Sequence, residues 1–113
     1  MQEKNNLLSI VKSMDVRASN EKFYRFAQKY IFGMQSRHAS DNAEFFEAVM
    51  YCSNHAGQEH IRKMMGISGR DTTEIKKWCK HIQNESELKE LTLDDLNYIF
   101  GYCARLAKIA GNE

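Results

Sequence analysis

At 113 residues the chain has room for one domain, and its hydrophobic fraction of 42% excludes a wholly disordered protein. A formal net charge of +1 excludes a general polycation, so any attraction to polyanions has to come from local clusters of charge. No apolar run approaches the roughly 20 residues that cross a bilayer, so we expect no membrane segment.

Cysteine usage and the start of the chain both favour a cytoplasmic location. Cys52, Cys79 and Cys103 are odd in number and far apart, and each stands among apolar neighbours. Free cysteine in such surroundings commonly behaves as a small buried hydrophobe, and a disulfide framework would show another pattern. The first six residues are polar, and the apolar cluster that follows is too short for a signal peptide.

The absence of proline is the main indicator of fold class, because proline breaks helix interiors and is frequent in loops. No stretch shows sustained alternation of apolar and polar residues. We therefore predict an all-α fold, with residues 1–113 forming one compact bundle of about five to six short helices. In chain order, the predicted helices cover residues 4–14, 20–37, 42–56, 58–65, 71–83 and 93–110, with one or two further turns within 85–91.

The second predicted helix combines apolar periodicity with interleaved aromatic and basic residues. Its predicted core face has the spacing of three and four that a helix requires and consists of Phe23, Phe26, Ala27, Tyr30, Ile31 and Met34. On the remaining surface we expect Tyr24, Arg25 and Lys29 to form a basic patch. Aromatic rings beside cations can hold single-stranded nucleic acid, whereas core packing is the alternative role for these rings.

The last predicted helix has clear end signals and an unusually broad apolar surface. Thr92 precedes it, acids follow in the first turn, and Arg105 and Lys108 lie near the end, as capping and the helix dipole favour. Apolar residues cover most of its circumference. Such a helix is either central in its own bundle, or part of residues 93–110 forms a seam for a protein partner or a homodimer.

Residues 58–83, with the sequence QEHIRKMMGISGRDTTEIKKWCKHIQ, resemble the helix-turn-helix of DNA-binding proteins. The resemblance places Gly66, Ile67 and Ser68 at the turn. The buried positions that it implies are Ile61, Met64, Met65, Ile75, Trp78 and Ile82. The turn is about three residues longer than in compact members of the family, and Arg62 stands where a small residue is usual.

This resemblance implies that the exposed side of the second helix of the segment enters the major groove of a duplex. Positions 59 to 81 contain six cationic and three acidic residues, and this local excess of positive charge favours contact with phosphate groups. The predicted nucleic-acid-binding residues are Arg62, Lys63, Arg70, Thr73, Lys76, Lys77 and Lys80. DNA and RNA both stay open as the polymer, and a solvated helix face is the alternative role of these lysines.

We expect no catalytic site, no small-molecule substrate, no cofactor and no metal centre. Cys52, His55 and His60 have helical spacing, but a structural zinc site needs four ligands, and no second cysteine–histidine pair stands nearby. The sequence thus predicts a small non-catalytic nucleic-acid-binding protein. The alternative is a helical adaptor, an inhibitor, or a small subunit of a multi-protein complex such as an RNA-guided ribonucleoprotein, acting through protein–protein docking.

Overall fold

The computed structural model describes residues 4–37 and 41–111, which form an all-α bundle as predicted. Its helices are α1 (Lys4–Val11), α2 (Glu21–Ser36), α3 (Ala43–His55), α4 (Glu59–Met65), α5 (Thr72–Asn84) and α6 (Leu93–Gly111). Short 3₁₀ helices precede α2, α5 and α6, at Ala18–Asn20, Gly69–Asp71 and Ser86–Glu90. No helix within the described ranges is long and apolar enough to span a membrane.

The last helix, α6, is the central element of the core. It packs mainly against α2, and also against α1 and the 3₁₀ helix Ala18–Asn20. Its inward side buries Leu96, Ile99, Phe100 and Cys103 completely. The prediction of a central core helix is therefore confirmed, and the apolar side chains of α6 that stay partly or largely exposed are those of Tyr98 and of the residues from Tyr102 to the end.

The predicted core face of α2 is confirmed in part. Phe23, Ala27, Ile31 and Met34 are fully buried, whereas Phe26 and Tyr30 pack against the core but stay half-exposed. The expectation that Tyr24 lies on a basic surface is wrong, because its ring is completely buried. Its hydroxyl donates a hydrogen bond of 2.6 Å to the carbonyl of Asp15, so the only polar atom of the side chain is satisfied inside the core.

Helix α5 packs against α3 and is joined to α2 through an aromatic cluster around Trp78. The indole lies 5.8 Å from the ring of Phe23 and meets the ring of Tyr24 edge-on at 5.5 Å. Both distances fall in the favourable range for aromatic pairs. The helix that carries most of the predicted binding residues is thus anchored by a large, fully packed side chain.

Candidate nucleic-acid interface

The outer face of α5 presents four of the predicted binding residues on one side of the helix. Thr73, Lys76, Lys77 and Lys80 are all exposed. The opposite side of the helix buries Ile75, Trp78 and Ile82, as the sequence predicted. Because helical residues three and four apart lie on one side, this separation gives an exposed basic surface on a rigid support. We call these four residues, together with Arg70, the α5 basic face.

Most of the charge on the α5 basic face is available to a ligand. Lys77 lies 3.7 Å from Glu74 in an exposed i,i+3 pair, which contributes little stability. Arg70, Lys76 and Lys80 form no ion pair with any carboxylate of residues 4–37 and 41–111. Arg70 projects from the 3₁₀ helix that leads into α5 and is exposed. An incoming phosphate therefore meets three cations that no carboxylate of the described chain neutralises.

The connection between α4 and α5 is a defined turn. Gly66 ends α4 with φ 71° and ψ 31°, the left-handed conformation that glycine adopts without a steric penalty. The Ile67 N–H then donates to the Arg62 carbonyl at 3.0 Å, as in a Schellman-type helix end. The predicted glycine turn is confirmed. The three residues beyond the compact motif, Gly69–Asp71, form the 3₁₀ helix.

Asp71 fixes this turn both locally and to α2. Its carboxylate accepts hydrogen bonds from the Ser68 backbone N–H at 2.9 Å and from the Lys22 ammonium at 3.2 Å. These two donors, the Ser68 N–H foremost, lower the pKa of the carboxyl below its ordinary value. Helix α5 begins directly after Asp71, as predicted, but the Asp71 side chain makes no capping hydrogen bond to α5 and closes the 3₁₀ helix instead.

The other two predicted binding residues, Arg62 and Lys63, lie on α4. The half-buried Arg62 guanidinium donates to the Gly57 carbonyl at 2.6 Å and so ties α4 to the chain that leaves α3. Lys63 is exposed and pairs with Glu59 at 3.3 Å. The expectation that Met64 is buried is wrong: 52% of the residue is exposed, and only Ile61 and Met65 of this short helix are buried. The main packing partner of α5 is α3 and not the neighbouring α4.

A second surface feature lies where α4 faces α2. Two adjoining depressions of about 330 Å³ each share Phe26, Lys29 and Met64, and together they form what we call the α2–α4 groove. Its lining is basic or apolar throughout and consists of Lys22, Arg25, Phe26, Lys29, Tyr30, Gly33, Arg37, Lys63, Met64, Met65 and Gly66. Sequence reasoning found the aromatic–basic alternation of α2, but not the wall that α4 supplies.

Other chemistry has less support within the described chain. Cys79 and Cys103 are buried, and desolvation raises the pKa of each thiol to about 12, far from the range of a nucleophilic thiolate. Residues 4–37 and 41–111 contain no cluster of three or more histidine, cysteine or acidic side chains with metal-binding geometry. Comparisons with protein-family models, with curated proteins and with solved structures found no match.

Proposed function

We propose that the protein is a small non-catalytic nucleic-acid-binding protein that contacts the phosphate backbone through the α5 basic face. The observation that carries this proposal is the division of α5 into a buried side around Trp78 and an exposed side with Lys76, Lys77 and Lys80. A helix of 13 residues is about 20 Å long, and the major groove of a duplex admits an α-helix. The helix-turn-helix resemblance of residues 58–83 supports the same orientation.

The charge of the α5 basic face predicts how binding depends on salt. Each phosphate neutralised on B-DNA contributes about 0.9 to the slope of log affinity against log salt concentration. Three lysine contacts therefore predict a slope of about −2.7, so a four-fold rise in salt should weaken binding by about 40-fold. If these lysines only solvate the helix, no salt-dependent binding is expected. The salt titration therefore distinguishes nucleic-acid binding from a solvated helix face.

The test is binding of the full chain to fluorescent duplex DNA, single-stranded DNA and RNA at about 50 and about 200 mM salt. The variant Lys76→Glu/Lys77→Glu/Lys80→Glu removes the face. Its charge-matched control, Lys12→Glu/Lys89→Glu/Lys108→Glu, changes three exposed lysines elsewhere. We expect binding to be lost in the first variant and largely kept in the control, with equal helicity by circular dichroism. Absence of wild-type binding at low salt refutes the proposal.

Protein docking is the second candidate function, supported by the exposed end of α6. A depression of about 340 Å³ between α1 and α6 is lined mainly by apolar side chains, among them Leu8, Tyr102 and Leu106. Ile109, one turn further on, is 57% exposed. A homodimer through this surface predicts a concentration-dependent mass in sedimentation equilibrium that Ile109→Glu abolishes. A monomer at all concentrations that binds nucleic acid favours the first function.

A further inference from the structure

We infer that the α2–α4 groove binds a single strand of nucleic acid, with unstacked bases against its aromatic side chains. This inference rests on the proposed nucleic-acid-binding function and adds a single-stranded ligand to the duplex contact proposed for α5. It arises from the lining of the groove, in which aromatic and cationic side chains alternate along one side of α2. Positions 22, 26, 29, 33 and 37 follow each other at helical spacing and carry Lys, Phe, Lys, Gly and Arg.

The apolar part of the groove offers surface for stacking. The rings of Phe26 and Tyr30 lie 6.1 Å apart, and each is packed on the core at one side and exposed at the other. Met64 reaches the groove from α4 with about half of its surface exposed. A Cβ built on Gly33 meets no atom within 4 Å, so the backbone of α2 is open there. The two ring planes are inclined at 42°, so each ring offers its own exposed side to a base, and aromatic side chains hold bases by stacking in single-strand-binding proteins.

The basic part of the groove fits a phosphate chain running beside the bases. None of the residues that line the groove is acidic. Arg25 and Lys63 pair with Glu21 and Glu59 in exposed i,i+4 contacts on their own helices. Such exposed pairs add little stability, so a phosphate can replace the carboxylate at small cost. Lys29, at the centre of the groove, forms no ion pair with a described carboxylate.

Charge accounting also favours stacking over electrostatics as the main attraction. Lys22 and Arg37, at the two ends of the groove, contact the carboxylates of Asp71 and Glu44. With four of the five cations paired, the groove has only a small net positive charge. A ligand that gained nothing but phosphate contacts would bind weakly here. A duplex keeps its base faces inside the stack, whereas a single strand can present them to Phe26 and Tyr30.

The groove is long enough for several nucleotides and adjoins the α5 basic face. From Lys22 to Arg37 it follows about 22 Å of α2. At one end, Lys22 contacts Asp71 at 3.2 Å, next to the exposed Arg70 of the α5 basic face. A strand that lies in the groove can therefore continue towards the cations of α5. A peptide made only of acidic residues would share the cations but would bring no planar rings to stack.

The test uses an oligothymidylate of about 12 nucleotides that carries one 2-aminopurine, whose fluorescence reports stacking. Wild type is compared with Phe26→Leu, which keeps an apolar side chain but removes the ring. The matched control is Phe32→Leu on the same helix, since Phe32 is 71% exposed and lies outside the groove. Lys29→Ala tests the central cation, with Lys12→Ala as its control. Thermal unfolding confirms that each variant is folded.

We expect Phe26→Leu to weaken single-strand binding by about ten-fold and to reduce the 2-aminopurine signal, because one of two stacking contacts is lost. Duplex binding and the Phe32→Leu variant should stay within about two-fold of wild type. Unchanged single-strand binding in both Phe26→Leu and Lys29→Ala overturns the inference. If the triple lysine variant of α5 still abolishes binding in that case, the proposed function stands without the groove.

Three further outcomes separate the proposals. If wild type binds neither polymer at low salt, the proposed function and the groove inference both fall. If polyglutamate of equal length displaces the oligothymidylate as well as unlabelled oligothymidylate does, and the 2-aminopurine signal is absent, the groove takes an acidic peptide and the inference is overturned. Loss of single-strand binding in Phe26→Leu with no effect of the α5 triple variant moves the binding surface from α5 to the groove.

Discussion

Two glycines provide a test of the backbone of this fold, because the same substitution should change stability in opposite directions. A Cβ at Gly33 or at Gly66 would meet no atom within 4 Å, so steric contact contributes nothing at either site. Gly33 lies inside α2, where alanine is more favourable than glycine by about 0.8–1 kcal/mol. Gly66 has φ 71°, where a side chain costs about 1–2 kcal/mol.

We therefore expect Gly33→Ala to raise the free energy of unfolding by up to about 1 kcal/mol and Gly66→Ala to lower it by about 1–2 kcal/mol. With an unfolding entropy of about 2.1 cal/mol/K per residue, 1 kcal/mol shifts the Tm of this chain by about 4 °C. Urea unfolding followed by helicity and by the fluorescence of Trp78, the only tryptophan, measures both variants. The urea dependence of the free energy should be unchanged.

The direction in which each variant changes the free energy of unfolding tests the backbone conformation at that glycine. An unaltered midpoint for Gly66→Ala would show that the chain does not turn through the left-handed conformation at the end of α4. A lower midpoint for Gly33→Ala would show that α2 is interrupted there or that the space above Gly33 is filled. If both variants shift in the same direction, the assignment of one of the two backbone conformations is wrong.

Three other predictions follow from burial and titration. Met34→Ala should cost about 2–5 kcal/mol in urea unfolding because Met34 is completely buried, whereas Met64→Ala should cost far less because Met64 is half-exposed. The ionised Asp71 carboxylate is held by the Ser68 N–H, so stability should be present above the ordinary pKa of 3.8 and lost as pH falls below it; Asp71→Asn should flatten this acid limb. Burial raises the pKa of the Cys79 thiol to about 12, so this group should stabilise the fold below about pH 9 and lose that contribution as pH rises towards 12. A thiol reagent at pH 8 should label Cys79 only on unfolding.

The fold class and several helix ends were predictable because they depend on local signals, although α1 ends at Val11 and not at residue 14 as predicted. At the start of α6, the Thr92 hydroxyl accepts a hydrogen bond of 3.1 Å from the Asp95 N–H, as its position before an acidic first turn predicts. Gly66 at the end of α4 is a second case, since the left-handed cap has a strong residue preference. Both signals operate within one helical turn and need no knowledge of tertiary neighbours.

The errors arose where a tertiary neighbour decides the outcome. Tyr24 was expected on a basic surface because it lies outside the apolar positions of the predicted core face. The carbonyl of Asp15, nine residues earlier in the chain, supplies a hydrogen-bond partner for the Tyr24 hydroxyl inside the core. Met64 was expected to be buried because the helix-turn-helix resemblance places it in the core of the first helix of that segment. Helix α4 has only two turns, however, and Ile61 and Met65 at i,i+4 already use its inward side. Periodicity alone contains neither fact.

The α5 basic face and the α2–α4 groove also differ in whether local sequence alone or tertiary packing forms them. Helical spacing alone places Thr73, Lys76, Lys77 and Lys80 together opposite Trp78, so the outer face of α5 was predictable from sequence. The α2–α4 groove requires Met64 to lie beside Phe26, which is a contact between residues far apart in the chain. Sequence periodicity predicts which residues of α2 line the groove. That α4 forms its second wall follows only from the packed fold.

The segment from Gly66 to Asp71 contributes residues to both surfaces and connects them. Gly66 lines the groove, Arg70 belongs to the α5 basic face, and Asp71 binds Lys22 of the groove. The position of one surface relative to the other therefore depends on this turn of six residues as well as on the packing of Trp78 against α2. An energetically small contact, the partly exposed Lys22–Asp71 pair, helps to fix that position. A substitution that loosens this turn should alter a ligand that spans both surfaces more than a ligand that touches only α5.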